Sequence, residues 1–258
     1  MAVGWSDRVV MITGASSGIG RALAVAWARR GARVGLLARR AEALEEVAGA
    51  VEAAGGRAFA VVADVRKAEA VKAATELVER EWGQVDVLVA NAGVGGGVTS
   101  ARQFPLDRAT EVFETNVVGV MNTVAAVLPG MLARGEGHVV GISSIAGFQG
   151  LPASGAYCAS KAALSTLFQS LRVELRGSGV LVTTIHPGFI KTPLTAGRER
   201  KMPFLMEVEP AAEQIVRAVE RRRATYSFPW QLALFARVAN SLPNAVRERI
   251  LARARMRE

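Results

Sequence analysis

Of its 258 residues, this chain spends only one on cysteine, two on histidine, two on tyrosine and five on lysine. The lone cysteine, Cys158, excludes an internal disulfide framework and a cysteine-rich zinc site, and makes a reducing, cytoplasmic setting the first expectation. His138 and His186 stand too far apart to suggest metal-ligand spacing, so no metal is expected. Long apolar runs are missing as well. The longest, residues 117–132, is interrupted by Gly119, Asn122, Thr123, Pro129 and Gly130 and falls short of a bilayer span. The amino terminus meets Ser6-Asp7-Arg8 after five residues, without the basic-then-apolar order of a secretion signal, and is expected to join the fold.

What is present is apolar residues (50%), 26 glycines and a net charge of +9. A half-apolar chain buries enough surface to offset its ordering entropy, which excludes disorder as the main state. The charge is uneven. Residues 217–258 hold ten arginines against three glutamates, +7 of the +9, and the first 216 residues are nearly balanced. The basicity belongs to one tail, so nucleic-acid binding through the body is not expected.

Short apolar runs at 9–13, 33–38, 58–63, 85–90, 138–143 and 180–185 alternate with helical patterns at 18–30, 41–54, 67–82, 106–134 and 156–176. Strands that lose the polar alternation are buried on both faces, as in a parallel sheet covered by helices. Right-handed crossovers then predict a single Rossmann-like, doubly wound α/β domain, with ligands at the carboxyl ends of the strands. After Ile185 the pattern breaks into Pro/Gly-punctuated segments, with a helix at 210–223 and two more in the tail.

The first run leads into Thr13-Gly14-Ala15-Ser16-Ser17-Gly18-Ile19-Gly20 and then a helix. Glycines in such a turn let backbone approach a pyrophosphate, and the helix amino terminus supplies N–H groups and a positive dipole end. A ligand-free strand-to-helix turn asks for the same residues. The second strand ends in Arg39-Arg40 where an acidic residue would meet a ribose 2′-hydroxyl. Arginines there grip a 2′-phosphate, which favours NADP(H) over NAD(H), with Ser16 assisting; the other reading is two solvated residues at a helix start. Asp64-Val65 fits an adenine edge, and Asn91-Ala92-Gly93 fits the adenosine ribose, although turns select the same residue types.

Tyr157 and Lys161, four apart at a helix start, share one helix face. An ammonium nearby and an oxidised nicotinamide together favour the phenolate, lower the phenol's pKa and make Tyr157 an acid/base. Ser143-Ser144 ends the fifth strand, where a hydroxyl can donate to a substrate carbonyl. Asn116 could bond a backbone group or water behind Lys161 and complete a proton relay.

Taken together, Thr13-Gly14-x-x-x-Gly18-x-Gly20, Asp64, Asn91-Ala92-Gly93, Asn116, Ser143-Ser144, Tyr157-x-x-x-Lys161 and Pro187-Gly188 leading to Thr192 resemble the short-chain dehydrogenase/reductase family over residues 9–192. The resemblance implies an oxidoreductase whose catalytic tetrad is Asn116, Ser144, Tyr157 and Lys161, the thirteen-residue interval to Tyr157 selecting Ser144. It implies hydride transfer between C4 of the nicotinamide and a carbonyl or carbinol carbon. Tyr157 would move the proton, Ser144 hold the oxygen, Lys161 also bond the nicotinamide ribose, and Ile190 and Thr192 hold the carboxamide. A homodimer or homotetramer pairing helices 106–134 and 156–176 is implied as well.

The substrate pocket is expected to be lined by 93–98, 145–151 and 189–206. Leu194, Met202, Phe204, Leu205 and Met206 suit an apolar substrate, with 188–208 acting as a lid or simply packing on the sheet edge. Domain boundaries are set at 1–228 for the catalytic domain and 229–258 for a basic helical extension. In that extension Trp230, Leu234, Val238 and Leu242 make a four-residue-spaced stripe. It could cover the pocket or a neighbouring subunit, or lie on an anionic membrane surface. The rival from another class is a nucleotide-binding scaffold whose basic tail docks on a membrane or protein.

Overall fold

The computed structural model describes residues 4–95, 104–197 and 202–255, with side chains described through residue 249. Seven strands form one parallel sheet: β1 (Val9–Thr13), β2 (Arg33–Ala38), β3 (Arg57–Val62), β4 (Val87–Ala90), β5 (Gly137–Ile142), β6 (Val180–Pro187) and β7 (Thr225–Phe228). Their order is β3-β2-β1-β4-β5-β6-β7. Helices α1 (Gly18–Ala28), α2 (Ala41–Ala53), α3 (Ala68–Trp82), α4 (Leu106–Phe113), α5 (Gly119–Arg134), α6 (Gly155–Glu174), α7 (Val208–Glu220), α8 (Trp230–Ser241) and α9 (Asn244–Arg255) complete the described residues. The sequence-derived α/β Rossmann-like arrangement is the one observed.

The pleat explains the two layers. In β1, Val10 and Ile12 join the core that holds Leu23 and Trp27 of α1, Leu44 and Val47 of α2, and Ile215 and Val219 of α7. Val9 and Met11, pointing the other way, join Val78 of α3, Val124, Val127 and Met131 of α5, and Leu164 and Phe168 of α6. Burial on both faces is what removed the polar alternation from the central strands.

Two elements depart from the periodicity. The helix expected over 106–134 is continuous in direction but passes through a π-helical turn, Glu114–Val118, that separates α4 from α5 and carries Asn116. The buried positions on either side, Ala109 and Val112 before it and Val120, Val124, Val127 and Met131 after it, keep helical spacing, so periodicity does not register the turn. Taken whole, Leu106–Arg134 has the length and apolar composition to cross a bilayer, but the stripe Val120, Val124, Val127 and Met131 is buried against the sheet, as in a core helix.

The second departure is in the tail. Trp230, Leu234 and Val238 of the expected stripe are exposed, and α8 instead packs its small-residue face, Ala233 and Ala236, onto Ile145 with Phe148 and Leu232 alongside. Small side chains let the helix approach the 3-10 turn Ile145–Phe148 that follows Ser144.

Candidate active site

Because all seven strands run parallel, their carboxyl ends share one rim, and the sequence-selected residues collect there. At the end of β1, Gly14 takes φ +66°, and a Cβ on it would sit 2.7 Å from Ala92 Cα, so only glycine fits the turn. Backbone N–H groups of Asn91 and Ala92 donate to Thr13 Oγ1, each at 3.2 Å. Asn91 Nδ2 donates to the carbonyls of Thr13 (3.0 Å) and Gly14 (3.3 Å). The Asn91 amide therefore braces the turn from the side of β4.

Helix α1 starts at Gly18 with Ser17 at its N-cap, no side-chain cap and no acidic residue in its first turn, which contains Ile19 and Gly20. Its amino-terminal N–H groups and dipole thus suit an anion. Thr192 reaches this end: a Cβ on Gly18 would lie 3.3 Å from the Thr192 side chain. Arg39 and Arg40 are exposed at the end of β2. Arg40 Nη2 donates to Ser16 Oγ at 3.1 Å, tying the second turn to the first. Arg39 makes no hydrogen bond or ion pair among the described residues.

Asp64 accepts from the Arg66 side chain at 2.6–3.1 Å and from its backbone N–H at 3.0 Å. These bonds, with a smaller contribution from the Arg39 charge, hold its carboxyl below the usual range. An adenine edge would thus meet a carboxylate oriented by Arg66, not a free one. The Val65 carbonyl accepts from Asn122 Nδ2 at 2.8 Å.

At the reacting end the two serines separate. Ser143 Oγ donates to the Lys161 carbonyl (2.8 Å) and pairs with Ser165 Oγ (2.9 Å) in the seam between sheet and α6. Ser144 Oγ accepts from the Ala146 N–H at 3.1 Å and lies 3.4 Å from the Pro187 carbonyl, bridging the loop after β5 to the Pro187-Gly188 corner. Tyr157 occupies the first turn of α6, and Lys161 follows one turn later. Lys161 is buried, donates from Nζ to the Ile142 carbonyl at 2.9 Å, and sits 5.8 Å from the Tyr157 ring centroid.

Burial pulls the Lys161 ammonium down to about 8. Burial also pushes the Tyr157 phenol up, with the Ser144 hydroxyl opposing it. The lowering expected from the ammonium together with an oxidised nicotinamide is thus opposed by burial at this position. The ammonium is itself desolvated and its hydrogen bond goes to Ile142, so the cost of burying a phenolate dominates. Burial at this position therefore favours the neutral phenol over the phenolate.

Asn116, fully buried, accepts from the Val94 N–H at 2.8 Å and donates to the Val94 carbonyl (3.1 Å) and Ser160 Oγ (3.0 Å). Its side chain is thus used on the 93–94 loop and on α6. Gly93 lies between the two groups: a Cβ there would be 3.2 Å from Asn116 Oδ1 and 3.4 Å from Lys161 Nζ. A side chain at Gly93 would press on both groups.

Ile190 is buried and bridges to Met206, and the Lys191 N–H donates to the Met206 carbonyl at 2.9 Å, so segment 188–208 is pinned at its base. Leu194 lies over the 93–95 loop: a Cβ on Gly95 would come within 2.8 Å of it. Residues 96–98 of the expected lining and 198–201 of the lid lie outside the described residues. Phe148, inside the lining expected over 145–151, lies tilted against the His186 ring at a centroid distance of 4.9 Å and carries Arg237 of α8 5.1 Å above its ring, a tie to the tail that the sequence reading missed. The only hint was an arginine interrupting the apolar pattern of α8.

The model of the short-chain dehydrogenase family matches residues 8–203. This chain belongs to that family. As a short-chain dehydrogenase it is an NAD(P)-binding oxidoreductase with a Rossmann-like fold. It is 49% identical over 239 residues to an uncharacterized oxidoreductase of Myxococcus xanthus, covering 93% of this chain and 94% of that one. It is 33% identical over 221 residues to the ketoacyl reductase HetN of a Nostoc species, covering 84% and 77%. A short-chain dehydrogenase/reductase from Burkholderia phymatum, solved in complex with NAD, superposes with a TM-score of 0.84 at 28% identity, covering 91% of this chain and 93% of that one.

Proposed function

We propose that this short-chain dehydrogenase uses NADP(H) to interconvert a carbonyl and a secondary alcohol on a fairly apolar small molecule. The observation that carries the reading is the convergence of Ser144, Tyr157 and Lys161 on the strand rim that also holds the uncapped, acid-free start of α1. The cofactor, when bound, supplies the hydride acceptor or donor.

The residues present fit such a dinucleotide. Gly14, Ser16, Ser17, Gly18, Ile19 and Gly20 form the phosphate turn. Arg39 and Arg40 are placed for the 2′-phosphate, Asp64 and Val65 for the adenine, and Asn91, Ala92 and Gly93 for the ribose region. Pro187, Gly188, Ile190 and Thr192 stand on the nicotinamide side. Arg39, exposed beside a helix amino terminus and without a hydrogen bond or ion pair among the described residues, supports a phosphate partner, since a cation there is otherwise mildly unfavourable.

In this assignment Ser144 donates to the substrate oxygen, and Tyr157 hands its proton to that oxygen in reduction or removes it in oxidation. Lys161 orients the tyrosine side of the site and bonds the nicotinamide ribose. Asn116 holds the loop and helix that position both. The apolar side chains of Leu194, Phe204 and Met206 support an apolar substrate, and the ketoacyl reductase named above is consistent with one. Exposed Met121 and Leu132 of α5 and Val173 of α6 support pairing of copies into a homodimer or homotetramer.

Turnover of a panel of ketones, aldehydes and secondary alcohols, with NADPH and NADH in parallel, tests the reading. Tyr157→Phe is expected to lower kcat by about 10²- to 10⁴-fold with nucleotide affinity kept. Nucleotide binding without turnover of any member by the wild-type chain would return the protein to the scaffold alternative.

A further inference from the structure

Helix α8 is amphipathic in an inverted sense. Its small residues, Ala233, Ala236 and Ala239, are buried, while its largest apolar side chains, Trp230, Leu234, Phe235 and Val238, are each more than half exposed. Four bulky apolar groups on the outward face of one helix form a patch that a solitary domain has no reason to display. The helix that follows is basic: positions 247, 249, 253 and 255 of α9 are arginine against a single glutamate at 248. The two helices are tied at their junction, where Arg247 donates to the carbonyl and the side-chain oxygen of Asn240 and to Asn244 Oδ1 at 2.7–3.3 Å.

We propose that the outward face of α8, with the arginines of α9, docks on an acidic phospholipid bilayer. An exposed tryptophan with leucine, phenylalanine and valine suits insertion at the headgroup boundary, and adjacent arginines add attraction to anionic headgroups. Charge argues against a second copy of this chain as the occupant. Residues 229–258 carry six arginines and two glutamates, so a self-contact would press two positive tails together. A nucleic acid would match the arginines but make no use of the apolar face.

The buried side of α8 gives the docking a consequence. Leu232 and Pro229 crowd Gly188, a Cβ on which would come within 2.9–3.0 Å of them, and Ala233 and Ala236 pack on the turn that follows Ser144. The helix therefore stands between the docked surface and both loops that flank the reacting residues. Docking would therefore be felt at the two loops beside Ser144 and Tyr157, where α8 packs. This consequence rests on the proposed function, whereas the docking itself does not.

Sedimentation of the full chain with vesicles of neutral phosphatidylcholine, with and without about 30 mol % phosphatidylglycerol, reads the docking directly. Partition is expected to be roughly tenfold or more stronger onto the acidic vesicles and to fall as salt rises. The double variants Trp230→Ser/Phe235→Ser and Arg249→Glu/Arg253→Glu should each abolish most of it while nucleotide affinity stays unchanged. Equal partition onto neutral vesicles, or none onto either, overturns the proposal. So does a Trp230→Ser/Phe235→Ser variant that changes oligomeric mass by light scattering, since that result assigns the patch to a second copy. Vesicle binding requires no turnover, so its failure is distinguishable from failure of the proposed activity.

Discussion

Asn116 Nδ2 donates to Ser160 Oγ at 3.0 Å, joining the π-helical turn after α4 to the helix turn between Tyr157 and Lys161. Ser160 Oγ in turn donates to the Tyr157 carbonyl at 2.8 Å, so the amide of Asn116 is one bond removed from the backbone of the proposed acid. The same amide grips both polar backbone groups of Val94. One side chain thereby sets the distance between the 93–94 loop and α6.

Replacing it should separate structure from chemistry. Asn116→Ala leaves the Val94 N–H and carbonyl and the Ser160 hydroxyl with fewer partners in a buried place, at a cost of about 1–3 kcal/mol. Urea denaturation should show that loss, and kcat should fall at least tenfold while nucleotide affinity changes by less than about threefold. A variant with full kcat would show that this brace does not position the reacting groups.

The proposed preference for NADP(H) is tested at Arg39. An aspartate there repels a 2′-phosphate and offers an acceptor to a 2′-hydroxyl. For Arg39→Asp the NADPH dissociation constant is expected to rise by about 10- to 100-fold, equivalent to losing a charge-assisted bond, with NADH affinity held or improved. Equilibrium binding by fluorescence titration suffices, and an unchanged NADPH-to-NADH ratio removes Arg39 from the phosphate site.

Phe148 links the tail to the loop that carries Ser144. Phe148→Ala removes a half-buried ring that lies tilted against His186 and under Arg237, and should cost about 2 kcal/mol. Because the lost contacts brace the Ser144 loop, kcat should drop while the dissociation constant for NADPH is unaffected. A variant that loses stability alone would confine the role of α8 to packing.

Acid should weaken the fold through its histidines. Burial pulls both His138 and His186 down to about 4, the Arg222 charge adding to the effect at His138 and the Arg237 and Arg172 charges at His186. Between pH 6.5 and 4 the unfolded chain binds protons that the folded chain refuses, so stability falls with falling pH. The loss is on the order of 3 kcal/mol per histidine by pH 4. Urea midpoints at pH 7, 5.5 and 4.5 should decline less steeply for His138→Leu than for the wild-type chain. Parallel declines would show that His138 is not held neutral by the fold.

Much of the protein is already written along the chain. Runs buried on both faces and the helices between them determine a parallel sheet, and a sheet with right-handed crossovers puts Gly14, Arg39, Asn91, Ser144 and Thr192 at one rim. These are nearest-neighbour and periodic properties, which a linear sequence states directly. Most of the proposed site was legible for the same reason, since its members sit at strand ends or in the opening turns of helices, Asn116 within the long helix being the exception.

What tertiary structure alone decided lies where distant segments meet. The π-helical turn at Asn116 leaves the apolar period intact. The contest between burial and the nearby ammonium at Tyr157 depends on how much water α6 loses against the sheet, which spacing four residues apart does not state. For α8, the bulky stripe had the better helical period, yet the alanine face won the contact because the turn after Ser144 allows only a close approach. Periodicity ranks faces by hydrophobicity, and packing chooses among them by fit.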